Sequence, residues 1–151
     1  MSTATYEPMT CDFDALNALL CGELSAVETY TQAMGRFDDQ ALIADLQKIR
    51  DEHSRSVREL RDHVIMFGGV PAESPGPWGA FTAAVIATAL GPATVLAALR
   101  QGEEHGRSAY EESLNNDDIH PECHRMIRTD LLYACIRHVE VLNQLLGGSH
   151  H

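Results

Sequence analysis

Apolar residues recur along this chain in steps of three and four, the rhythm of one face of an α-helix. The first run passes through Leu16, Leu20, Val27 and Met34, with Glu23 and Tyr30 filling the two intervening stripe positions. Asp12 or Asp14 stands where an N-cap belongs, and Gly35 to Asp38 end the run. A second run holds Leu42, Leu46, Ile49, His53, Val57, Leu60, Val64 and Phe67, then stops at Gly68-Gly69 with Pro71 just beyond. Residues 68–79 are rich in Pro and Gly and predict a loop. Ala80 to Leu90 is apolar nearly all round and predicts a short buried helix. Pro92 suits the first turn of the next helix, whose stripe is Leu96, Leu99, Glu103, Tyr110 and Leu114. After a polar loop, a fourth helix is marked by Ile127, Leu131, Cys135, His138, Leu142 and Leu145. No stretch alternates with period two, so no strand is predicted.

The two halves repeat one another. Gly22-Glu23 with Tyr30, then Asp45-Leu46 with His53 and Leu60, have the same internal spacings as Gly102-Glu103 with Tyr110, then Asp130-Leu131 with His138 and Leu145. Short turns make each helix pair an antiparallel hairpin, and the long intervening segment can cross the length of a bundle. The prediction is an all-α, pseudo-two-fold four-helix bundle of two hairpins joined by a crossover containing a short helix, the connectivity of ferritin-like bundles. The bundle is expected over 12–146, after a tail at 1–11. Residues 147–151, GGSHH, read as a tag remnant, so His150 and His151 are set aside.

Charge narrows the partners. A formal net charge of −11 over 151 residues disfavours nucleic acid and anionic membranes. The opening MSTATYEPMT has no secretory pattern, and the longest apolar run is too short to span a bilayer. A cytoplasmic protein with four free thiols is expected.

Glu23, His53, Glu103 and His138 occupy stripe positions where the periodicity asks for a hydrophobe. Buried ionisable groups need partners. Carboxylate and imidazole brought together suit iron, manganese or zinc. The competing account is a metal-free buried network in which Arg50 offsets the glutamates. Tyr30 and Tyr110, two turns from the glutamates, read as donors to a carboxylate or as core residues with satisfied hydroxyls. Cys135 reads as a small hydrophobe or, less simply, a soft ligand. Glu52 and Glu104, about 100° off the stripe, are second-choice ligands. Cys123-His124 belong at the start of the fourth helix, His63 at the surface, and Glu104-His105 and Glu111-Glu112 on the solvated face. Trp78 and Phe81 near the short helix offer a place for an apolar ligand or simply pack on the bundle.

The GE-x6-Y helix, the D-L-x6-H helix, the following GG-x-P and the repeat after a long crossover resemble the ferritin-like superfamily. More narrowly, they resemble its uncharacterised bacterial four-helix-bundle branch, catalogued as a domain of unknown function, over about residues 12–146. The resemblance implies a metal-binding bundle and, by the habit of such bundles, a homo-oligomer, with a dimer favoured. One departure bears on activity. Di-iron carboxylate bundles carry Glu-x-x-His on two helices, whereas the corresponding positions here are Arg50 and Cys135. An intact di-iron oxidase or ferroxidase is therefore disfavoured, and one ion held by Glu23, His53, Glu103 and His138 is the expectation.

Overall fold

The computed structural model describes residues 11–148. Among them there is no strand. The order is α1 (Phe13–Met34), α2 (Gln40–Met66), α3 (Gly76–Thr88), α4 (Pro92–Leu114), α5 (Pro121–Met126), a π-helical turn (Ile127–Leu131) and α6 (Leu132–Gly148). Of the expected tag remnant, Gly147 and Gly148 close α6, while Ser149 to His151 and residues 1–10 lie outside the described residues.

Local chemistry sets the boundaries. Asp12 caps α1 by accepting from the Ala15 amide at 2.9 Å, a contact that also lowers its carboxyl pKa. Asp39 caps α2 through the amides of Ala41 and Leu42. Pro92 occupies the first turn of α4, where a missing N–H costs nothing.

The two hairpins pack as predicted, α1 on α2 and α4 on α6, and α1 also meets α4. Their buried stripes build two apolar clusters. One gathers around Leu16, Leu60, Tyr110 and Ile127, the other around Tyr30, Leu46, Ile86, Leu96 and Leu142.

Two elements depart from the sequence reading. The crossover helix starts at Gly76 rather than Ala80, because Pro77 is tolerated in a first helical turn. It is also buried on one side only. It lies along α1, held by Thr82 to Ser25 (3.3 Å) and Thr29 (3.0 Å), and by Gln32 donating to the Ala83 carbonyl (3.0 Å). Arg36 reaches the carbonyls of Ile86 and Ala89 at its end. The opposite face is open, with Phe81 57% exposed and Leu90, just past the helix, 87% exposed. The fourth bundle helix, expected to be continuous, is interrupted by the π-helical turn. No helix among the described residues is long and apolar enough to cross a membrane.

Candidate metal centre

Each of the four long elements delivers one ionisable side chain to the middle of the bundle. Glu23 comes from α1, His53 from α2, Glu103 from α4 and His138 from α6, all buried. They sit on their stripes as the periodicity predicts, and the helix faces bring them together in the interior.

His53 lies between the two glutamates, with Nδ1 at 2.6 Å from Glu23 Oε1 and Nε2 at 2.7 Å from Glu103 Oε2. A carboxylate only accepts, so both ring nitrogens donate and the ring is an imidazolium. Burial alone would lower its pKa, but the charges of Glu103 and Glu23 and their hydrogen bonds raise it well above the ordinary value. Burial likewise disfavours the charged form of Glu103, yet His53 and His138 hold its carboxyl well below the usual range.

The tyrosines cross the bundle. Tyr30 donates to Glu103 Oε2 at 2.5 Å, and Tyr110 donates to Glu23 Oε2, so each half's phenol serves the other half's glutamate. Burial, then the carboxylate beside each, pushes both phenols well above their ordinary pKa. Cys135 donates to the Glu103 carbonyl at 3.1 Å and to Oε1 at 3.3 Å, and its thiol pKa is raised by burial and by Glu103. It is a donor to a carboxylate, which a protonated thiol can be and a soft ligand is not.

His138 has a different surrounding. Its Nε2 lies 2.8 Å from Glu52 Oε1, and its Nδ1 is 3.4 Å from Glu103 Oε1. The shorter contact puts a proton on Nε2, and Nδ1 is the nitrogen turned toward the centre. Arg137 pins the same Glu52 oxygen at 2.5 Å. The hydrogen bonds of Glu52 to His138 and Arg137 outweigh its partial burial and lower its pKa.

Four sequence expectations change. Arg50 does not join a buried network: its guanidinium turns outward to Asp51 at 3.4 Å, with 28% of the side chain exposed, because solvent is the cheaper place for its charge. Glu52, a second-choice ligand by position, is the group that holds His138. Glu23 stands one bond further out than the others. His53, Glu103 and His138 each offer a ligand atom within 4.8 Å of one another, whereas Glu23 reaches this group through His53. His63 is half-buried rather than at the surface, and its Nδ1 lies 2.9 Å from the Glu59 carbonyl. The four cysteines are free thiols. Trp78's side chain lies outside what the structure describes.

The donor set fits one divalent transition ion. Two imidazoles and a carboxylate suit it in type, and the proton on His53 Nε2 stands where an ion would be bound. It does not fit two ions on the di-iron pattern, since position 50 faces solvent and position 135 supplies a thiol.

Comparison with known proteins agrees with this architecture. The chain is similar to a solved structure described as ferritin like, diiron-carboxylate proteins from Bacillus anthracis str. Ames, with a TM-score of 0.74 and 22% identity, over 97% of this chain and 99% of that one. At that identity the likeness shows the fold: this is a ferritin-like bundle. No curated protein matches the chain. Residues 12–116 match the family described as Domain of unknown function (DUF2383), and the chain belongs to that family.

Proposed function

We propose that the protein binds a single divalent metal ion, iron, manganese or zinc, through His53 Nε2, His138 Nδ1 and Glu103. The observation that carries this reading is that two buried imidazoles from different helices present one nitrogen each to the same carboxylate. Each turns its other nitrogen to a separate glutamate, His53 to Glu23 and His138 to Glu52. A carboxylate behind each imidazole is how metal-binding histidines are fixed in tautomer and angle. Glu23 and Glu52 are thus positioning residues, and Tyr30, Tyr110 and Cys135 hold the carboxylates in place. An ion there supplies Lewis acidity, or redox chemistry if it is iron or manganese. Three protein ligands leave coordination positions open. Binding displaces the His53 Nε2 proton, so uptake weakens as pH falls.

A second reading is a structural bundle with a metal-free polar core. It is favoured by one observation: among the described residues no buried side-chain nitrogen or oxygen lacks a partner. In that reading Glu23, His53 and Glu103 are self-sufficient, without the Arg50 contribution.

Metal content by inductively coupled plasma mass spectrometry separates the two, on protein lacking His150 and His151, beside a His53→Ala/His138→Ala variant. Near-stoichiometric metal that vanishes in the variant is expected. Metal-free protein after growth in supplemented medium would overturn the metal centre in favour of the polar core. A soluble homodimer belongs to the same reading; sedimentation equilibrium tests it.

A further inference from the structure

Between α1 and α4 lies a cavity of about 90 Å³ whose floor is the cluster itself: Glu23, Glu103, His53, Cys135 and the two phenols. Its walls are mainly apolar, among them Ala18 and Ala26 of α1 and Ala98 and Ala109 of α4, with Thr29 and His105 adding polar groups. Gly22 and Gly102 also line it, each next in sequence to a cluster glutamate.

Those glycines need a reason, because a glycine inside a helix is unfavourable relative to alanine. Backbone conformation is not the reason: the glycines with positive φ are Gly68, Gly76 and Gly91. Close packing is not the reason either. A Cβ at Gly22 or Gly102 would meet nothing within 4 Å, whereas one at Gly79 would strike Pro75 at 2.6 Å and one at Gly106 would touch Cys135 at 3.6 Å. What glycine keeps at 22 and 102 is empty space beside the two carboxylates. The duplicated Gly-Glu pair then reads as one unit, a cluster carboxylate and the gap beside it.

We propose that this cavity is a port through which a small uncharged molecule reaches the Glu103 side of the cluster, and that Gly22 and Gly102 hold it open. The walls are mainly apolar, two carboxylates on the floor repel an anion, and the volume admits only a few heavy atoms. As a route to a metal centre the port rests on the reading above; as a cavity for an uncharged guest it stands without metal.

Xenon and water are the probes. Metal-free crystals under xenon pressure should show xenon between α1 and α4, and bromide soaked into the same crystals should stay out. A Gly22→Leu/Gly102→Leu variant should lose the xenon, while Gly22→Ala/Gly102→Ala, whose added Cβ atoms meet no neighbour, should keep the fold and show lower xenon occupancy. With manganese loaded, the longitudinal relaxation of solvent water should fall several-fold in the leucine variant at equal metal content. Should the leucine variant fail to fold, a Gly22→Val single variant with reduced xenon occupancy carries the same test. Absence of xenon from the wild type, its persistence in the plugged variants, or bromide on the floor would overturn the port. Xenon in a protein that takes up none of iron, manganese or zinc would overturn the metal centre and leave the port as an apolar small-molecule cavity.

Discussion

The His53 end and the His138 end of the cluster begin from the same sequence motif and finish in different electrostatic states. His53 is enclosed between two buried carboxylates and is charged because both of its nitrogens must donate. His138 faces one buried carboxylate at 3.4 Å and one half-buried one, Glu52, that Arg137 already neutralises. The motif positions match between the halves; the position just before each histidine does not, being Glu52 in one copy and Arg137 in the other. Those two residues pair across the bundle. Equal stripes thus place the histidines, and unequal neighbours decide what each can do.

The largest test of that contrast is removal of each ring. His53→Leu leaves Glu23 and Glu103 buried without a cation, and should cost about 3–5 kcal/mol in urea unfolding. His138→Leu leaves Glu52 still paired with Arg137 and should cost about 1–3 kcal/mol. Equal losses would show that the two ends are electrostatically alike. Replacing the whole charged trio, Glu23→Leu/His53→Leu/Glu103→Leu, should recover stability to within about 1–2 kcal/mol of wild type, since a buried ion network is often no better than hydrocarbon of similar size. The same variant should lose any rise in melting temperature on adding metal.

A smaller effect separates ligand from positioning residue. Glu52→Gln should weaken metal binding about 10–100-fold in a competitive chelator titration while leaving the apo melting temperature nearly unchanged. Unchanged affinity would remove Glu52 from the site.

The smallest effect is on pH dependence. Glu103, with its folded pKa lowered, adds stability that is present above its ordinary 4.5 and lost as pH falls below it. His53, with its folded pKa raised, adds stability that is full below 6.5 and lost as pH rises through its folded value. Glu59 lies outside the cluster, where burial and Asp130 raise its pKa from 4.5 to about 7. Stability should therefore decline between those two values as Glu59 ionises. Glu59→Gln should flatten that part of the curve and leave the His53 slope above it. A slope that survives in the variant would assign it elsewhere.

Much of this was legible in the sequence because helix periodicity is a strong signal and four ionisable residues broke it. Glu23, His53, Glu103 and His138 were placed that way, and the long segment between the hairpins gave the connectivity. Glu52 was not legible as the holder of His138. It sits about 100° off the stripe and reaches the ring only because its side chain bends toward Arg137, a residue 85 positions away in sequence. Tyr30 and Tyr110 could be put on the right face, but not matched to the opposite half's glutamate, since that depends on the crossing of α1 and α4. Arg50 misled for the opposite reason: its position lies near the cluster, but its long side chain carries the charge to solvent. The one-sided burial of α3 was hidden because its apolar residues occur on every side.

The π-helical turn has a consequence best described as phase. Cys123, Ile127, Leu131 and Cys135 are all buried and follow one another in steps of four. On a regular α-helix each such step overshoots a full turn by about 40°, so three in succession would carry the last residue far from the direction of the first. The looser turn at Ile127–Leu131 takes up that excess, letting α5 and α6 point the same way although they lie out of step. One residue removed from it would restore regular winding and turn one helix about 100° against the other. Either Cys123 and Met126 would swing out of the core, or Cys135 and His138 would leave Glu103. The turn is the gear by which a half with a longer interhelix segment still delivers its histidine to the same point.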